Sequence, residues 1–398
     1  MHACLRQPMR LCRWAGLFPV EGLNKKTCSD LRLNLNSTYM IYHCLTLLGQ
    51  FSLTSTSAYH FFTNNLSRNH LVDLVFYTTN LTTACFMGKL ARNWALLIQK
   101  AGSIEKSVLH IQSGSNGPER YTRIAYFMLI LSLVEHILSV IFKLKLLMSC
   151  DWENDTEDLD FMERFFTLIA SFVFELTSYS HWKAVLFEVA NIQSTFLWNF
   201  TDAMTMCVSL YLTSYFRVLN KLIEHQQRLK ITRWEEIRSY YSDLVQLVQV
   251  VDSKMCYLIL LSFFTNVFFI CNQVFSLLNN NYPDFMDCHH QNFKVVEYYI
   301  YYCYSSIFLF VRATMTSLMA ANLHTVATEP FYILQHVPAS DYTIEVQRFI
   351  RQTKYTTTAL SGLFFDVTRG MILTVIGTII KYELVLLQFS VKRYEAMQ

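Results

Sequence analysis

The sequence predicts an all-α membrane protein with seven transmembrane helices and a cytosolic N-terminus. Hydrophobic residues make up 53% of the 398 residues and charged residues only 16%, whereas a soluble domain usually carries about 25% charged residues. Seven apolar runs are each close to the roughly 20 residues that cross a bilayer as a helix. They lie at 37–58, 71–90, 125–148, 195–216, 255–278, 298–323 and 371–389.

The distribution of basic residues predicts the orientation. The N-terminal segment and the loops after spans two, four and six carry 22 of the 33 Lys and Arg residues, and the alternate set of loops carries six. Cytosolic loops hold the excess of Lys and Arg in membrane proteins. The N-terminus is therefore expected in the cytosol and the C-terminus outside. This orientation is opposite to that of a G-protein-coupled receptor.

In chain order, residues 1–36 form a predicted cytosolic segment, 37–391 the seven-helix transmembrane domain and 392–398 a short extracellular tail. The first segment lacks the apolar core of 7–15 residues that a cleavable signal peptide needs. A shorter apolar stretch at 161–176 holds three charged residues. It predicts a partly buried extracellular loop helix.

Two stretches, 217–254 and 324–358, predict helical extensions on the cytosolic side. The first contains a capping box between Thr232 and Glu235. Apolar residues then recur at spacings of three and four, which is typical of one face of a helix: Trp234, Ile237, Tyr241, Leu244, Val248 and Val251. This face would pack either on a helix of the same subunit or beneath the membrane on another subunit.

The seventh span is predicted to be split. Apolar or small residues at 357–365 precede Asp366 and Arg369, which can pair on one helix face at a spacing of three. Gly370 then provides a break between two half-helices.

Several motifs, spread over nearly the whole chain, resemble one family. Lys381-Tyr382-Glu383 followed by Gln388-Phe389 resembles the C-terminal signature of insect gustatory receptors, in the variant of the sugar-receptor branch, with Lys381 where the family has Thr. Other blocks that resemble this branch are Gly16-Leu-Phe-Pro-Val20, Val134-Glu-His136 and the stretches 196–202, 266–271, 346–349 and 359–362.

The resemblance implies a subunit of a sugar-gated, non-selective cation channel of the insect chemoreceptor type, which acts in the perception of sweet taste. Its implied location is the plasma membrane of a sensory neuron dendrite. Its implied partners are a small sugar, membrane lipid and further gustatory receptor subunits in a homo- or hetero-tetramer, with no nucleic acid and no cofactor. The pore would be formed by the helix at 371–389.

A neutral sugar requires polar side chains for its hydroxyl groups and an aromatic ring for its C–H face. On the outward halves of the spans, the candidates are Glu135, His136, Trp198, Asp202, Asn266 and Tyr301. An intramembrane carboxylate is rare enough to favour a functional role for Glu135, although a buried pair with His or Arg is the alternative. Tyr301 belongs to a tyrosine-rich run that could equally form an interfacial aromatic belt.

Other charged residues in the spans are given structural roles. Arg312 is expected to pair with Asp366 or another acid, and Lys143 and Lys145 are expected to extend towards the membrane surface.

The candidate pore residues lie on one stripe of the last helix, which comprises Thr374, Gly377, Lys381, Val385 and Gln388. A neutral amide at Gln388 can replace water around a cation, and the neighbouring Phe389 can close the path by dewetting. Four copies of Lys381 around a pore would oppose cation entry. Lys381 then either pairs with Glu383 of an adjacent subunit, or the subunit works in mixed tetramers, or conduction is altered.

Two other classes remain as alternatives: a polytopic solute transporter and a heptahelical G-protein-coupled receptor. The odd number of spans and the lack of repeated halves disfavour the transporter. The sequence contains no Gly-x-Ser-x-Gly, His-Glu-x-x-His or P-loop motif, so no enzymatic activity and no metal site are predicted. Whether Cys150 and Cys288, both in predicted extracellular loops, form a disulfide is left open.

Overall fold

The computed structural model describes residues 1–25, 30–63, 67–108, 119–149, 160–229, 233–278 and 296–395. Nearly all of the described secondary structure is helical. The helices are α1 (His2–Trp14), α2 (Thr38–Thr63), α3 (Arg68–Val108), α4 (Glu119–Ser149), α5 (Phe161–Ile169), α6 (Ser171–Phe174), α7 (His181–Leu229), α8 (Trp234–Leu278), α9 (Val296–Leu334), α10 (Ile344–Tyr355) and α11 (Arg369–Glu395). Strands β1 (Val20–Glu21) and β2 (Arg32–Leu33) pair in antiparallel orientation.

Each of the seven predicted apolar runs falls within a long helix, and several helices extend well beyond the run. Helix α7 has 49 residues, about 74 Å at 1.5 Å per residue, which is more than twice the ~30 Å hydrocarbon core of a bilayer. Within the described residues, three helices are long and apolar enough to cross a membrane: Glu119–Met148, Trp234–Leu277 and Tyr299–Leu334. The count of seven spans and the cytosolic N-terminus stay predictions.

Helix α7 is the centre of the bundle and packs against α2, α3, α4, α8 and α9. Its apolar residues Leu197, Phe200 and Cys207 have no exposed surface. Two buried hydroxyl groups on the same helix are satisfied locally, since Thr201 and Thr205 each donate to the carbonyl four residues earlier. These two polar side chains therefore lie inside the bundle without the cost of an unmade hydrogen bond.

The N-terminal segment packs on the bundle, with α1 against α4 and α7. The chain leaves α1 through Gly16, whose φ of +78° is open to glycine and strained for other residues. An added Cβ there would lie 2.3 Å from the Thr46 hydroxyl oxygen. This turn buries Phe18 edge-on against Trp94, with ring centroids 5.3 Å apart, so the Gly-Leu-Phe-Pro-Val block has a packing role.

The apolar helix face predicted at the start of α8 packs against other helices of the same chain. All six of its apolar residues are buried, and Tyr241 contacts Phe216 of α7 and Phe349 of α10, at centroid distances of 5.9 and 5.2 Å. The alternative that this face binds another subunit is therefore wrong, because its surface is already covered. Thr232 of the capping box lies outside the described residues.

The position of the break before the last helix corrects the sequence prediction. Helix α10 ends at Tyr355 and α11 begins at Arg369, so the break is the non-helical segment 356–368. Gly370 is the second residue of α11, and Asp366 precedes the helix in an isolated bridge with Ser361. The predicted pairing of Asp366 and Arg369 on one helix face is therefore wrong.

Helix α8 holds this break in place. The Asp252 carboxylate accepts hydrogen bonds from the backbone N–H and the hydroxyl of Ser361, at 2.6 and 2.7 Å. The turn that follows is tight, since Gly362 N–H donates to the Phe365 carbonyl at 2.8 Å and Leu363 adopts a φ of +67°. A branched, apolar residue in this conformation is uncommon.

Candidate functional site

A cavity of about 410 Å³, called the main cavity below, lies between α3, α4, α5, α6, α7 and α9. Its walls include four of the predicted ligand residues: Glu135, His136, Trp198 and Tyr301. The stretch 161–176 closes one side as two helices, α5 and α6, that meet at Ala170. The volume lies in the range of small-molecule sites in proteins.

A side cavity of about 210 Å³ adjoins the main cavity and shares Glu135, Trp198 and Tyr301 with it. Its other walls add the amides of Asn272 and Gln273. Those three shared residues therefore belong to the walls of both cavities.

The carboxylates of the main cavity are held by neighbouring helices. Glu135 on α4 accepts a hydrogen bond from the Ser305 hydroxyl on α9 at 2.5 Å. His136 Nε2 lies 3.2 Å from Glu188 Oε1 on α7. Both acids keep further oxygen lone pairs that can accept hydrogen bonds from a polyol.

Trp198 is the aromatic plate of the site. Its ring packs against Phe269 and Phe76, with centroids 4.8 and 5.8 Å away. Its indole Nε1 is buried and, within the described residues, has no hydrogen-bond partner. An unmade hydrogen bond of this kind costs about 1–3 kcal/mol.

A buried charge network lies next to Trp198. The Arg312 guanidinium is centred 4.1 Å from the centroid of the Trp198 ring, a cation–π contact. Its Nε lies 3.0 Å from Asp202 Oδ2, with both side chains 1% exposed. Arg312 also donates to the side-chain oxygens of Asn199 and Asn266.

Asp202 and Asn266, both predicted to contact ligand, belong to this network and to neither cavity wall. Asn266 donates to the two Asp202 oxygens at 3.2 and 3.1 Å, and the Ser262 hydroxyl donates to the same carboxylate. Their polar atoms are therefore occupied by other side chains of the chain.

The structure settles the partner of one basic residue and corrects the expectation for another. Arg312 was expected to pair with Asp366 or another acid, and its partner is another acid, Asp202. The Lys143 side chain lines the main cavity instead of extending to the membrane surface, and it faces the same space as Asp73, a carboxylate that the sequence analysis did not select.

Glu188 is another cavity residue that the sequence analysis missed. It precedes the apolar run at 195–216, and its position became clear only because α7 begins at His181. Asp73 could have been predicted as a candidate from the sequence, since it is an acid inside the apolar run at 71–90.

The candidate pore residues lie on α11. Lys381 is exposed and Val385 is 46% exposed in the single chain. Gln388 and Phe389 belong to the same helix, and their side chains lie outside the described residues. Leu373, Ile380 and Tyr382 are also more than half exposed, so these apolar side chains of α11 are not covered by the part of the chain that the structure describes.

Comparison with known proteins gives one consistent result. A family model described as trehalose receptor matches residues 1–396. Two relatives from Drosophila melanogaster, the gustatory receptor for sugar taste 64f and the gustatory receptor 5a for trehalose, are each 28% identical over 394 residues. The match covers 98% of this chain and 80% and 85% of the respective relatives.

The fold is similar to a solved chemoreceptor structure. The insect olfactory receptor OR5 from Machilis hrabei, in complex with eugenol, superimposes with a TM-score of 0.66 at 15% identity, and the alignment covers 97% of both chains. Since the family model spans almost every residue of this membrane-embedded, helical chain, the chain belongs to the trehalose receptor family of insect gustatory receptors.

Proposed function

We propose that the chain is a subunit of a sugar-gated, non-selective cation channel for sweet taste, located in the plasma membrane of sensory neuron dendrites. The observation that carries the proposal is the main cavity. It combines the aromatic plate of Trp198 with carboxylate acceptors from two helices, which is the combination that a neutral polyol requires. The sugar specificity of the Drosophila relatives supports the same ligand class.

In this proposal, Glu135 and His136 bind sugar hydroxyl groups, and Trp198 and Tyr301 cover the apolar face of the ring. Asp202 and Asn266 act behind the wall, where they neutralise Arg312 and hold it against Trp198. Arg312 in turn fixes the position of the plate. These two polar residues thus support the site without contacting sugar.

One rigid element connects the cavity with the pore helix. Helix α8 carries Phe269 against the plate, Asn266 in the charge network and Asp252 on the segment before α11. From Asn266 to Asp252 is about 21 Å of continuous helix. A displacement of Trp198 by sugar would therefore reach Ser361, and through it α11, by direct contact.

The exposed apolar surface of α11 supports assembly around a pore. Four copies of α11 about a common axis would cover residues such as Leu373 and Ile380 and bring Lys381, Val385, Gln388 and Phe389 towards the axis. In a bilayer the gain from such assembly would come from close packing between the helices, because lipid tails are as apolar as these side chains. Partners are copies of this chain or related receptor subunits.

The experiment is whole-cell recording from cells that express the chain, with G-protein signalling blocked and a panel of sugars applied outside. A rapid cation current evoked by at least one sugar is expected. Glu135→Gln should raise the sugar concentration that gives a half-maximal current by about 10- to 100-fold, since a hydrogen bond to a charged group contributes roughly 1.5–3 kcal/mol.

Glu224→Gln is the matched control, because Glu224 is 52% exposed and lies near the far end of α7. The proposal is wrong if sugars drive uptake without current, if the current requires G-protein signalling, or if both variants respond like the parent.

A further inference from the structure

A third cavity, separate from the sugar site, lies between the N-terminal part of α8 and α10. It has a volume of about 670 Å³ and is lined by Arg238, Arg348, Arg351, Gln352, Tyr355 and Thr356. We call it the basic cavity. Every wall residue has a polar group, and three of the six are arginines.

One carboxylate holds two of these arginines. Glu345 Oε2 accepts from Arg238 Nε at 2.8 Å, and Glu345 Oε1 accepts from Arg348 Nη1 at 2.5 Å. The hydrogen bond from Arg238, with that from Arg348, holds the pKa of the Glu345 carboxyl below its usual value. The acid therefore stays ionised at neutral pH and fixes both guanidinium groups at the rim of the cavity.

The cavity retains unused donors and excess positive charge. Each guanidinium has five N–H donors, and Glu345 uses one donor on Arg238 and one on Arg348. Arg351 is exposed and, among the described residues, forms no hydrogen bond or ion pair. Three guanidinium groups against one carboxylate leave a net charge of about +2. The wall amide of Gln352 is fixed as well, since it donates to the Ser242 hydroxyl at 2.9 Å.

We propose that the basic cavity binds a soluble anion that carries several phosphate groups. Planar guanidinium groups match phosphate oxygens by paired, charge-assisted hydrogen bonds, and an open cavity of this volume accommodates more than one phosphate. Binding there would stabilise the contact between α8 and α10 and so the region that precedes the pore helix. The inference rests on the cytosolic location proposed for this part of the chain, and not on sugar gating.

Distance from the membrane favours a soluble ligand over a lipid headgroup. Arg238 precedes the apolar run that begins at Met255 by about 25 Å along α8, at 1.5 Å per residue. The Debye length at physiological salt is only about 8 Å. A headgroup at the bilayer surface therefore neither reaches the cavity nor contributes much to its potential.

The dipole of α10 opposes anion binding, but its effect on the affinity is small. Tyr355 and Thr356 lie at the C-terminus of α10, where the helix dipole is negative. At an exposed helix end this disfavours an anion by about twofold to fivefold in affinity. A single charge-assisted hydrogen bond contributes about tenfold or more, so the arginines outweigh the dipole.

The test is the thermal unfolding of the purified receptor in detergent, with inositol hexakisphosphate as the first probe and ATP as the second. At least one probe should raise the unfolding temperature at low salt, less so at high salt. Arg351→Gln should lower the affinity of that probe by about tenfold or more. It should leave the unfolding temperature without probe unchanged, because Arg351 has no partner to lose. Arg348→Lys keeps the positive charge but removes the planar guanidinium with its paired N–H donors, and should weaken binding of the probe too.

Arg228→Gln is the matched control, since Arg228 is an exposed arginine at the end of α7, and it should bind like the parent. A third arm uses nanodiscs with and without phosphatidylinositol bisphosphate. Stabilisation by the lipid and by neither soluble probe would contradict the proposal. So would loss of assembly in Arg351→Gln, which would mean that the arginine binds an acid of another subunit. Equal binding by Arg351→Gln and the parent would also overturn it. Because the assay needs no sugar, its failure leaves the proposed channel function untouched.

Discussion

Trp198 is the residue at which the two halves of the site meet. One part of its environment is the cavity, with Glu135 and Tyr301 beside it, and another is the Arg312 guanidinium. Trp198 and Glu135 could be predicted from the sequence because aromatic and acidic residues inside spans are informative. Asp202 could not be separated from them in the sequence, because its pairing with Arg312 depends on a contact between residues 110 positions apart.

The Asp202–Arg312 pair gives the first prediction. Asp202→Asn leaves a buried guanidinium without its counter-charge, which typically costs about 3–5 kcal/mol. We therefore expect Asp202→Asn, and equally Arg312→Gln, to reduce folded receptor at the cell surface. Removing both charges in the double variant should restore part of the loss.

Surface biotinylation with fluorescence-detected size exclusion measures this effect. Glu135→Gln is the control that should express normally, since its main contact is one serine hydroxyl. Normal surface levels of Asp202→Asn with a shifted sugar response would instead return Asp202 to the ligand-binding residues.

Lys381 gives the second prediction at this scale. If it faces the conduction path, Lys381→Thr should increase homomeric cation current, because four ammonium groups at a pore repel cations in a weakly screened space. Lys381→Arg keeps the charge and should not increase it. Recordings normalised to surface protein decide this.

An opposite result has a distinct meaning. If Lys381 pairs with Glu383 of a neighbouring subunit, its loss strands a carboxylate and assembly should fall. Unchanged current, selectivity and assembly in Lys381→Thr would show that the lysine lies away from the axis and that the predicted stripe has the wrong register.

At the scale of helices, the apolar runs predicted where each long helix lies but not where it ends. The part of α8 before the apolar run is amphipathic, and its helical structure was predicted from the spacing of its apolar residues. The first 14 residues of α7, 181–194, have no such clear pattern and were missed, along with Glu188. The break before α11 was predicted at Gly370, because a glycine inside an apolar run suggests a helix kink. The observed break lies earlier, at 356–368, where the Asp252–Ser361 contact holds the non-helical segment.

The contact between α8 and the 356–368 segment gives the third prediction. Asp252→Asn weakens two hydrogen bonds to Ser361, one of them to the backbone, and should lower maximal sugar-evoked current several-fold. Sugar affinity, measured by binding to purified receptor, should stay the same. Ser361→Ala removes only the hydroxyl bond and should have a smaller effect.

Ser253→Ala is a suitable control, since its exposed hydroxyl only donates to a carbonyl of its own helix. If Asp252→Asn changes sugar affinity and maximal current together, α8 acts on the cavity itself, and the coupling through the segment is not supported.

At the scale of the whole molecule, family membership identifies the chain as a chemoreceptor and not an enzyme, whereas its membrane orientation stays a prediction from the basic-residue asymmetry. The fourth prediction tests that orientation. The native sequons at Asn154 and Asn65 both lie in predicted extracellular loops, so Asn154→Gln should reduce a glycosidase-sensitive shift on gels, and Asn154→Gln combined with Asn65→Gln should abolish it. Ser113→Asn creates an Asn-Gly-Ser sequon in a predicted cytosolic loop and should remain unmodified.

Glycosylation at the engineered position with none at Asn154 would show that the membrane orientation is opposite to the predicted one. The basic cavity would then face outside, and the main cavity would face the cytosol, where no dietary sugar reaches it.

We propose that sugar binds against Trp198 in a channel whose pore is formed by α11. A cryo-electron microscopy structure of the assembled receptor with an activating sugar would show both features at once. We expect sugar density in the main cavity, with its ring on Trp198, a hydroxyl group within hydrogen-bond distance of Glu135, and the α11 helices around a common axis. Sugar bound elsewhere while the main cavity stays empty, or α11 helices that face lipid away from any axis, would contradict it.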